Sequence, residues 1–437
     1  MMNQKTRVFL TGATGVMGMA GLKELVKHHD DYEITVLARN SKTNHRKLTP
    51  FEKKGVKVIW GDLLDPNSLK EGISEADIVL HVGGMVSPAA DKDPERTLKV
   101  NIGSMKLISE IVKDIESSDS LRTIKVVYVG SVSQYGSHLP PDHWAKVGNK
   151  LSAAKFDAYA LSKIEAERIL VESGLKKWVS LRQTAILHPG LLMKANDPVM
   201  FHVPLKGVIE WVSVEDSGRL LERVCRKNVP ENFWNNFYNV GGGKNYRLTN
   251  YEFERKLLKA MGCPPPERIF ETKWFATDNF HGVWFEDSDI LNNILKFRKG
   301  DTFDDNLKQM KKGLPWFFKL APIAPSFIIK GFMKKVACSP MLGTLTWIKT
   351  NDLERIKASW GSIENYKTIP TWDKFEKPLL QKENKDSDNI LASSEVPNIL
   401  RYEKCERGHE FKTSELMKEK GGHECPICLK ERTEVKV

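Results

Sequence analysis

The sequence predicts an α/β protein built on a doubly wound parallel sheet. Three observations lead there. Short apolar runs alternate with helical patterns from the first residues, the runs are apolar on both faces, and the first ends in a glycine-rich turn that opens a helix. Runs that are apolar throughout belong to strands covered on both sides, and strands separated by helices connect in parallel.

Taken in order, residues 7–10 form the first strand, and a helix follows through about residue 28. Residues 33–38, 56–60 and 78–81 are the next three strands. A helix over 95–113 leads to a very apolar strand at 125–129, and a helix over 156–173 to a strand at 178–182. Residues 211–216 and 237–240 are expected as short strands returning to the sheet. A helix over 250–261 is stopped by Gly262-Cys263-Pro264-Pro265-Pro266. The expected divisions are an α/β unit over 1–262, an aromatic-rich cap over 263–376, a polar linker over 377–400 and a small Cys- and His-bearing module over 401–437.

Composition narrows the function classes without choosing among them. Hydrophobic residues make up 41% and charged residues 28%, which is ordinary for a soluble globular chain. Lys and Arg outnumber Asp and Glu by 67 to 56, giving +11. The N-terminal half mixes both signs, and the basic bias gathers around 308–357, which reads as a solvated surface rather than a nucleic-acid stripe. No apolar run approaches the ~20 residues that span a bilayer, and no signal-peptide core is seen, so a cytoplasmic protein is expected.

Residues Thr11, Gly12, Thr14, Gly15, Val16, Met17 and Gly18 join the first strand to the first helix. Glycines so spaced allow a tight turn and a close approach of pyrophosphate, which the helix N-terminus then holds. At the end of the second strand stands Arg39 where an acidic residue would hold a ribose hydroxyl. An arginine there pairs with a 2′-phosphate, so the expected cofactor is NADP, with NAD left open. Asp62 follows the third strand and would accept a hydrogen bond from the adenine amino group, or serve only its turn.

Tyr159 and Lys163 stand four residues apart on one helix face, with Ser131 at the end of the preceding strand. A neighbouring cation and a positive nicotinamide ring would lower the tyrosine's pKa toward usable acid–base chemistry. With these residues, and with the motifs at 11–18, 61–65, 81–84, 101–104, 128–136, 159–163 and 181–190, the chain resembles the extended short-chain dehydrogenase/reductase family over residues 5–262. That family includes nucleotide-sugar epimerases and dehydratases, 3β-hydroxysteroid dehydrogenases and dihydroflavonol-type reductases.

The resemblance implies a Rossmann sheet in which Tyr159 exchanges a proton with the substrate oxygen. Lys163 would hold the ribose and tune the tyrosine, and Ser131 would hydrogen-bond the reacting oxygen, with Ser133 as the alternative serine. It further implies Leu63, His81, Val82, Gly83 and Thr184 beside the cofactor, and Asn101 in a structural or cofactor-side role. A homodimer through the helices bearing Asn101 and Tyr159 is implied in the same way. Two departures stand out: the Asp-Glu pair of dehydratases is replaced by Ser133-Gln134, and Gln183 and His188 alter the segment before and around Pro189.

Met85, Val86, Ser87 and Pro88 follow the fourth strand and line the expected substrate pocket, with Trp211 either beside them or in the core. Such a lining suits a hydrophobic ketone or alcohol, sterol-like in character, better than a nucleotide sugar. Residues 315–337 interleave bulky apolar residues with lysines, as either a helical cap or a peripheral membrane contact does. The leading expectation is an NADP-dependent oxidoreductase interconverting hydroxyl and keto groups of a small molecule. The alternatives are an epimerase that retains its cofactor and a cofactor-sensing scaffold.

Of six cysteines, Cys225, Cys263 and Cys338 stand alone. Cys405, His409, Cys425 and Cys428 form two knuckle-like pairs resembling a zinc-ribbon or treble-clef module. Four such ligands without an open position make a structural Zn2+ site, and zinc would supply much of the folding energy of so short a unit. His423 is the competing ligand for His409.

Overall fold

The computed structural model describes residues 4–192, 197–312, 324–383 and 396–435. Seven parallel strands form the central sheet. In chain order they are β1 (Thr6–Thr11), β2 (Tyr32–Ala38), β3 (Lys57–Trp60), β4 (Ile78–His81), β5 (Lys125–Ser131), β6 (Lys177–Gln183) and β7 (Asn236–Val240). In space they run β3-β2-β1-β4-β5-β6-β7, so the order reverses between β1 and β4. A doubly wound sheet binds its ligand at such a reversal, beyond the carboxyl ends of the strands.

Alternation along each strand divides the core. Val8 and Leu10 face helices α1 (Val16–Lys27) and α6 (Val214–Arg223), meeting Leu22, Leu25, Leu220 and Leu221. Phe9 points the other way, toward α3 (Pro66–Ser74), α4 (Pro94–Ser118) and α5 (Ala158–Glu172), among Leu69, Ile73, Met105 and Leu170. Each such aliphatic side chain contributes about 1.5–3 kcal/mol on burial, which is why runs apolar on both faces become central strands.

Helix α2 (Lys42–Glu52) and α3 start at side-chain caps: Ser41 accepts from Asn44 N–H, and Asp65 from Asn67 and Ser68 N–H, with Pro66 in the first turn. Residues 237–240 lie in the edge strand β7, as the sequence predicts. Residues 211–216 do not form the expected strand. Only Val212–Ser213 pairs, with Ile186–Leu187, and α6 begins at Val214. Ser213 caps that helix by accepting from Asp216 N–H at 3.0 Å, and Glu215 and Asp216 sit in the first turn, where the helix dipole favours them.

The cap draws on both sides of residue 262. Phe201, Leu205 and Tyr251 pack with Ile269, Phe270, Trp274 and Phe275, and with Met333 and Val336 of helix α8 (Ser326–Ala337). Helix α7 (Asn250–Met261) carries a capping box, Thr249 with Glu252, and ends at Gly262 in the left-handed conformation. Residues 315–323 of that segment lie outside the described residues. Among the described residues no helix is long and apolar enough to cross a membrane.

The C-terminal module comprises the hairpin β8 (Arg401–Lys404) and β9 (Glu410–Thr413) and helix α9 (Pro426–Thr433). It packs directly on the Rossmann half. Leu416 and Met417 join the core behind α4 and α5, and Leu429 meets Val132, Tyr135, Leu161 and Ile164. Beneath it lies a buried charge network. Arg182 donates to Glu167 at 2.7 and 3.1 Å and to the Gly421 carbonyl at 2.6 Å, while His423 Nε2 donates to Glu167 at 3.0 Å.

Candidate active site

At the reversal in strand order opens a cleft of 1780 Å3. Its floor begins where β1 ends. Gly12 turns the chain at φ +75°, and a Cβ there would stand 2.7 Å from the Gly83 backbone. A Cβ on Gly18 would fall 2.1 Å from the Gly12 carbonyl, so glycine there lets α1 close on the strand. Gly15 is the N-cap of α1 and brings no side chain to the first-turn amides. Those donors, with the positive end of the helix dipole, face the cleft as an anion site. Thr14, Val16 and Met17 line it alongside the glycines.

Thr11 and His81 stand behind this surface, fully buried. Gly83 N–H donates to Thr11 Oγ1 at 3.1 Å, and Thr11 meets His81 Nδ1 at 2.9 Å. His81 Nε2 meets Ser104 Oγ at 3.2 Å, and that hydroxyl donates to the Asn101 carbonyl. Burial, with Lys163 nearby, pushes the His81 imidazole down to about 3. A neutral ring with Nε2 protonated satisfies every contact in this chain. Asn101 also acts from behind, bracketing Met85 with bonds of 2.7 and 3.0 Å to its N–H and carbonyl, and donating to Ser162 at 2.9 Å. These three residues hold the β4 loop in place, whereas Val82, Gly83, Met85 and Ser87 are its cleft-facing part.

At the end of β5, Ser131 caps a single 3-10 turn. Its Oγ accepts from Ser133 N–H at 3.1 Å and from the Ser133 hydroxyl at 2.9 Å. With those positions taken, the Ser131 proton is left to donate, and its partner is the Tyr159 phenol. Ser133 is fully buried and supports Ser131 rather than facing the cleft. Tyr159 and Lys163 come from the first turns of α5, whose N-cap Asp157 accepts from Ala160 N–H at 2.8 Å. The chain reaches this helix through Phe156 at φ 63°, so the helix starts at Ala158 and not at the expected 156.

Lys163 Nζ donates to the Val129 carbonyl at 2.8 Å and lies 5.9 Å from the centre of the Tyr159 ring. Burial pushes the Tyr159 phenol up to about 12, opposed by the Ser131 hydrogen bond. Burial also pulls the Lys163 ammonium down to about 8. Two orphaned atoms stand nearby. Thr184 Oγ1 and Gln183 Oε1 are buried on residues that line the cleft, with no hydrogen-bond partner among the described residues.

Beyond β2, Arg39 is exposed on the cleft wall, with Asn44 and Lys47 of α2 beside it. Lys47 Nζ donates to the Thr14 carbonyl at 2.9 Å, tying α2 to the glycine turn. Asp62 accepts from Leu64 N–H at 3.0 Å, keeping its turn, and lines the cleft with Leu63. The first-turn amides, the orphaned polar atoms and this adenosine-side wall fit a nicotinamide dinucleotide.

The other end of the cleft is mainly apolar. Trp211 stacks on Phe253 at 4.4 Å and lines the cleft, so it belongs both to the core and to the lining. Ile269, Phe270, Ile329 and Phe332 add to this wall. Sequence reasoning missed Lys47, Phe156 and Glu254, which enter the cleft only through helix phase and cap packing. The signal for Lys47 was present: the stretch after a basic strand end is itself basic.

The four C-terminal ligands do come together. Cys405, His409, Cys425 and Cys428 place their donor atoms within 4.8 Å of one another. Cys405 and Cys428 sulfurs are 3.8 Å apart, and His409 Nδ1 is 3.3 and 3.7 Å from Cys428 and Cys425. A tetrahedral zinc with bonds of about 2.3 Å to sulfur and 2.0 Å to nitrogen spaces its ligands by about 3.5–3.8 Å. The donor set therefore fits zinc. His423, the competing ligand, is instead committed to Glu167.

Comparison with known proteins agrees with this geometry. Over 140 residues the chain is 30% identical to a UDP-glucose 4-epimerase of Mycoplasma genitalium, covering 31% of this chain and 39% of the relative. Over 197 residues it is 25% identical to a 2-alkyl-3-oxoalkanoate reductase of Shewanella oneidensis, covering 44% and 46%. The chain thus spans less than half the length of these curated relatives. Among solved structures, a dTDP-glucose 4,6-dehydratase from Bacillus anthracis in complex with NAD superposes with a TM-score of 0.56 at 16% identity, covering 76% of this chain and 99% of that one. A UDP-glucose 4-epimerase from Thermotoga maritima with UDP-glucose gives 0.52 at 14%, covering 70% and 98%. At such identities these likenesses show the fold. The family model for the NAD dependent epimerase/dehydratase family matches residues 8–241, the span that carries the glycine turn, Ser131, Tyr159 and Lys163, and the chain belongs to that family.

Proposed function

We propose that this protein is an NADP-dependent oxidoreductase that interconverts a hydroxyl and a keto group on an apolar small molecule. The observation that carries the reading is the Ser131–Tyr159–Lys163 group on the floor of a cleft whose cap side is lined by Phe253, Leu257, Leu258, Ile269 and Phe270. A bound nicotinamide supplies or accepts the hydride. Tyr159 gives its phenolic proton to the carbonyl oxygen during reduction, or takes it during oxidation. Ser131, its Oγ already receiving two bonds from Ser133, donates to that same oxygen and stabilises the charge that develops there. Lys163 holds a positive charge near the phenol and favours its ionised form.

Arg39 and Lys47 put two cations on the adenosine-side wall, the arrangement that favours a 2′-phosphate and therefore NADP. The Shewanella relative is named a 2-alkyl-3-oxoalkanoate reductase, and the apolar lining here suits the alkyl and keto part of such a molecule. A second reading, an epimerase that keeps its dinucleotide and returns the hydride to the opposite face, is favoured by the match to a UDP-glucose 4-epimerase.

Turnover separates the two. The full chain is incubated with NADPH and a panel of medium-chain ketones and 3-oxoalkanoates, and NADPH absorbance is followed. Consumption abolished by Tyr159→Phe supports the oxidoreductase. Interconversion of UDP-sugars without net NADPH consumption would replace it with the epimerase.

Two accessory roles belong to the same reading. Zinc held by Cys405, His409, Cys425 and Cys428 braces the C-terminal module against the catalytic half. Helix α8 rests on a membrane surface: Met333 and Val336 are buried, while Phe327 and Ile328 are exposed on the same helix as Lys334 and Lys335.

A further inference from the structure

Helix α7 presents one stripe to the cleft: Asn250, Phe253, Glu254, Leu257, Leu258 and Met261. This is the i, i+3, i+4 spacing by which a helix meets an apolar surface. Asn250 is accounted for, since its amide donates to the Val203 carbonyl at 2.9 Å. Glu254 is not. It is 3% exposed, and no hydrogen bond or ion pair reaches it among the described residues. The two cations next to it in the chain are engaged elsewhere: Arg255 lies over the Tyr251 ring at 5.7 Å, and Lys256 binds Asp304 at 2.7 Å.

A carboxyl buried without a partner costs a fold several kcal/mol, and the packing around α7 gains nothing from it. Leucine at this position would complete the apolar stripe. A polar side chain kept inside a ligand cleft against that gradient is fitted to something that enters the cleft. Its surroundings narrow the choice. Burial pushes the Glu254 carboxyl up to about 8, so near neutral pH it carries its proton and can both donate and accept. A neutral acid in an apolar wall complements an uncharged oxygen.

We propose that Glu254 is a second polar anchor of the substrate half, hydrogen-bonding a neutral oxygen, hydroxyl or carbonyl, on the substrate in addition to the one that reacts at Ser131 and Tyr159. The proposal rests on the apolar hydroxy/keto reading above and deepens it: the substrate is an apolar body with two oxygen functions, one reacting and one recognised.

The test uses the full chain with NADPH present. Tryptophan fluorescence, reported by Trp211 and Trp347 on the cleft wall, is titrated with 1-alkanols and with the matching α,ω-alkanediols from hexane to dodecane. At the chain length that spans the two anchors, the diol binds about tenfold tighter than the alkanol. That advantage disappears in Glu254→Leu and is retained in Glu254→Gln, which keeps a donor and an acceptor. Alkanols that bind with no diol advantage at any length, or an advantage surviving Glu254→Leu, would overturn the anchor and leave the apolar reading standing. An α,ω-amino alcohol that outbinds every diol and fails in Glu254→Gln would overturn it in favour of a cation site. Failure of every alkanol and diol to bind would sink the apolar reading and the anchor together.

Discussion

The Ser133 hydroxyl donates to the Ser131 hydroxyl at 2.9 Å, and the Ser133 amide donates to the same oxygen at 3.1 Å. Ser131 thus keeps one direction for its own proton, toward Tyr159 and the cleft. Ser133→Ala removes one of the two orienting bonds and should lower kcat by roughly tenfold with little change in NADPH affinity. Ser131→Ala should cost about 100-fold or more, the range for losing a donor to a developing oxyanion. Tyr159→Phe should abolish turnover. Stopped turnover measured beside an NADPH titration separates these effects. A larger loss from Ser133→Ala than from Ser131→Ala would refute the assigned order.

Cofactor choice depends on the adenosine-side wall. Arg39 carries no neutralising carboxylate among the described ion pairs, and Lys47 approaches the glycine turn from α2. NADPH should bind about tenfold tighter than NADH, a difference of about 1.4 kcal/mol. Arg39→Ala should erase most of that preference without weakening NADH. Lys47→Ala should weaken both dinucleotides, because it also ties down the turn. Equal affinities for both dinucleotides in the unaltered protein would remove the case for NADP.

The metal site predicts one zinc per chain by elemental analysis, and loss of it in Cys428→Ser. The module then releases what it holds. Thr433 O accepts from Phe156 N–H at 2.7 Å, and Gly422 O accepts from Leu151 N–H at 2.9 Å. Both acceptors position the segment that enters α5. Chelation should therefore lower the melting temperature by roughly 5 °C or more and reduce turnover in parallel. A zinc-free chain of unchanged melting temperature and turnover would show that the module folds and docks without metal.

Glu254 sets a pH dependence of stability whose sign is fixed by its shift. The folded-state pKa is raised to about 8 from an ordinary 4.5, with burial as the cause. Its stabilising contribution is complete below about pH 4.5 and is lost as pH rises toward 8, because the unfolded chain ionises first. Glu254→Gln lacks that loss and should exceed the unaltered protein in stability at pH 9 by on the order of 5 kcal/mol. Lys163, pulled down to about 8, acts in the opposite sense but is common to both proteins and cancels in the difference. Denaturant melts of the two across the pH range measure it, and a constant difference would contradict an unpaired buried carboxyl.

Helix α8 predicts binding of the full chain to phosphatidylserine-containing vesicles, weaker binding to phosphatidylcholine alone, and release by salt. Phe327→Ser with Ile328→Ser should remove most of it. Phe327 is 73% exposed, so the substitution leaves the core intact. Flotation with neither vesicle type would leave α8 as a cap helix only.

Most of the sheet was legible because its signal is local. Strands covered on both faces must be apolar throughout, and helices such as 250–261 carry caps and stops in their own residues. The 211–216 segment misled because Trp211 and Val212 read as a strand while the Ser213 cap three residues before Asp216 opened a helix. The glycine turn, Ser131 and Tyr159 were readable as motifs in order. The buried supports were not: nothing local in His81 separates a residue facing the cofactor from one wedged behind Thr11. Glu254 was invisible for a different reason, since its meaning depends on which face of α7 the cap encloses.

The network joining Arg182, Glu167, His423 and the Gly421 carbonyl gives the chain a direction in time. Gly421 is translated 239 residues after Arg182. A nascent sheet therefore emerges with its central guanidinium only partly enclosed, and water must stand in until the later partners arrive. Helix α5, which carries both Glu167 and Tyr159, is among the earlier elements made and among the last to be sealed. Domains usually close from the N-terminus forward during synthesis. Here the ribosome must travel well past α5 before that helix has all of its neighbours, and a chain stalled between the two would display a formed sheet around an unfinished cleft.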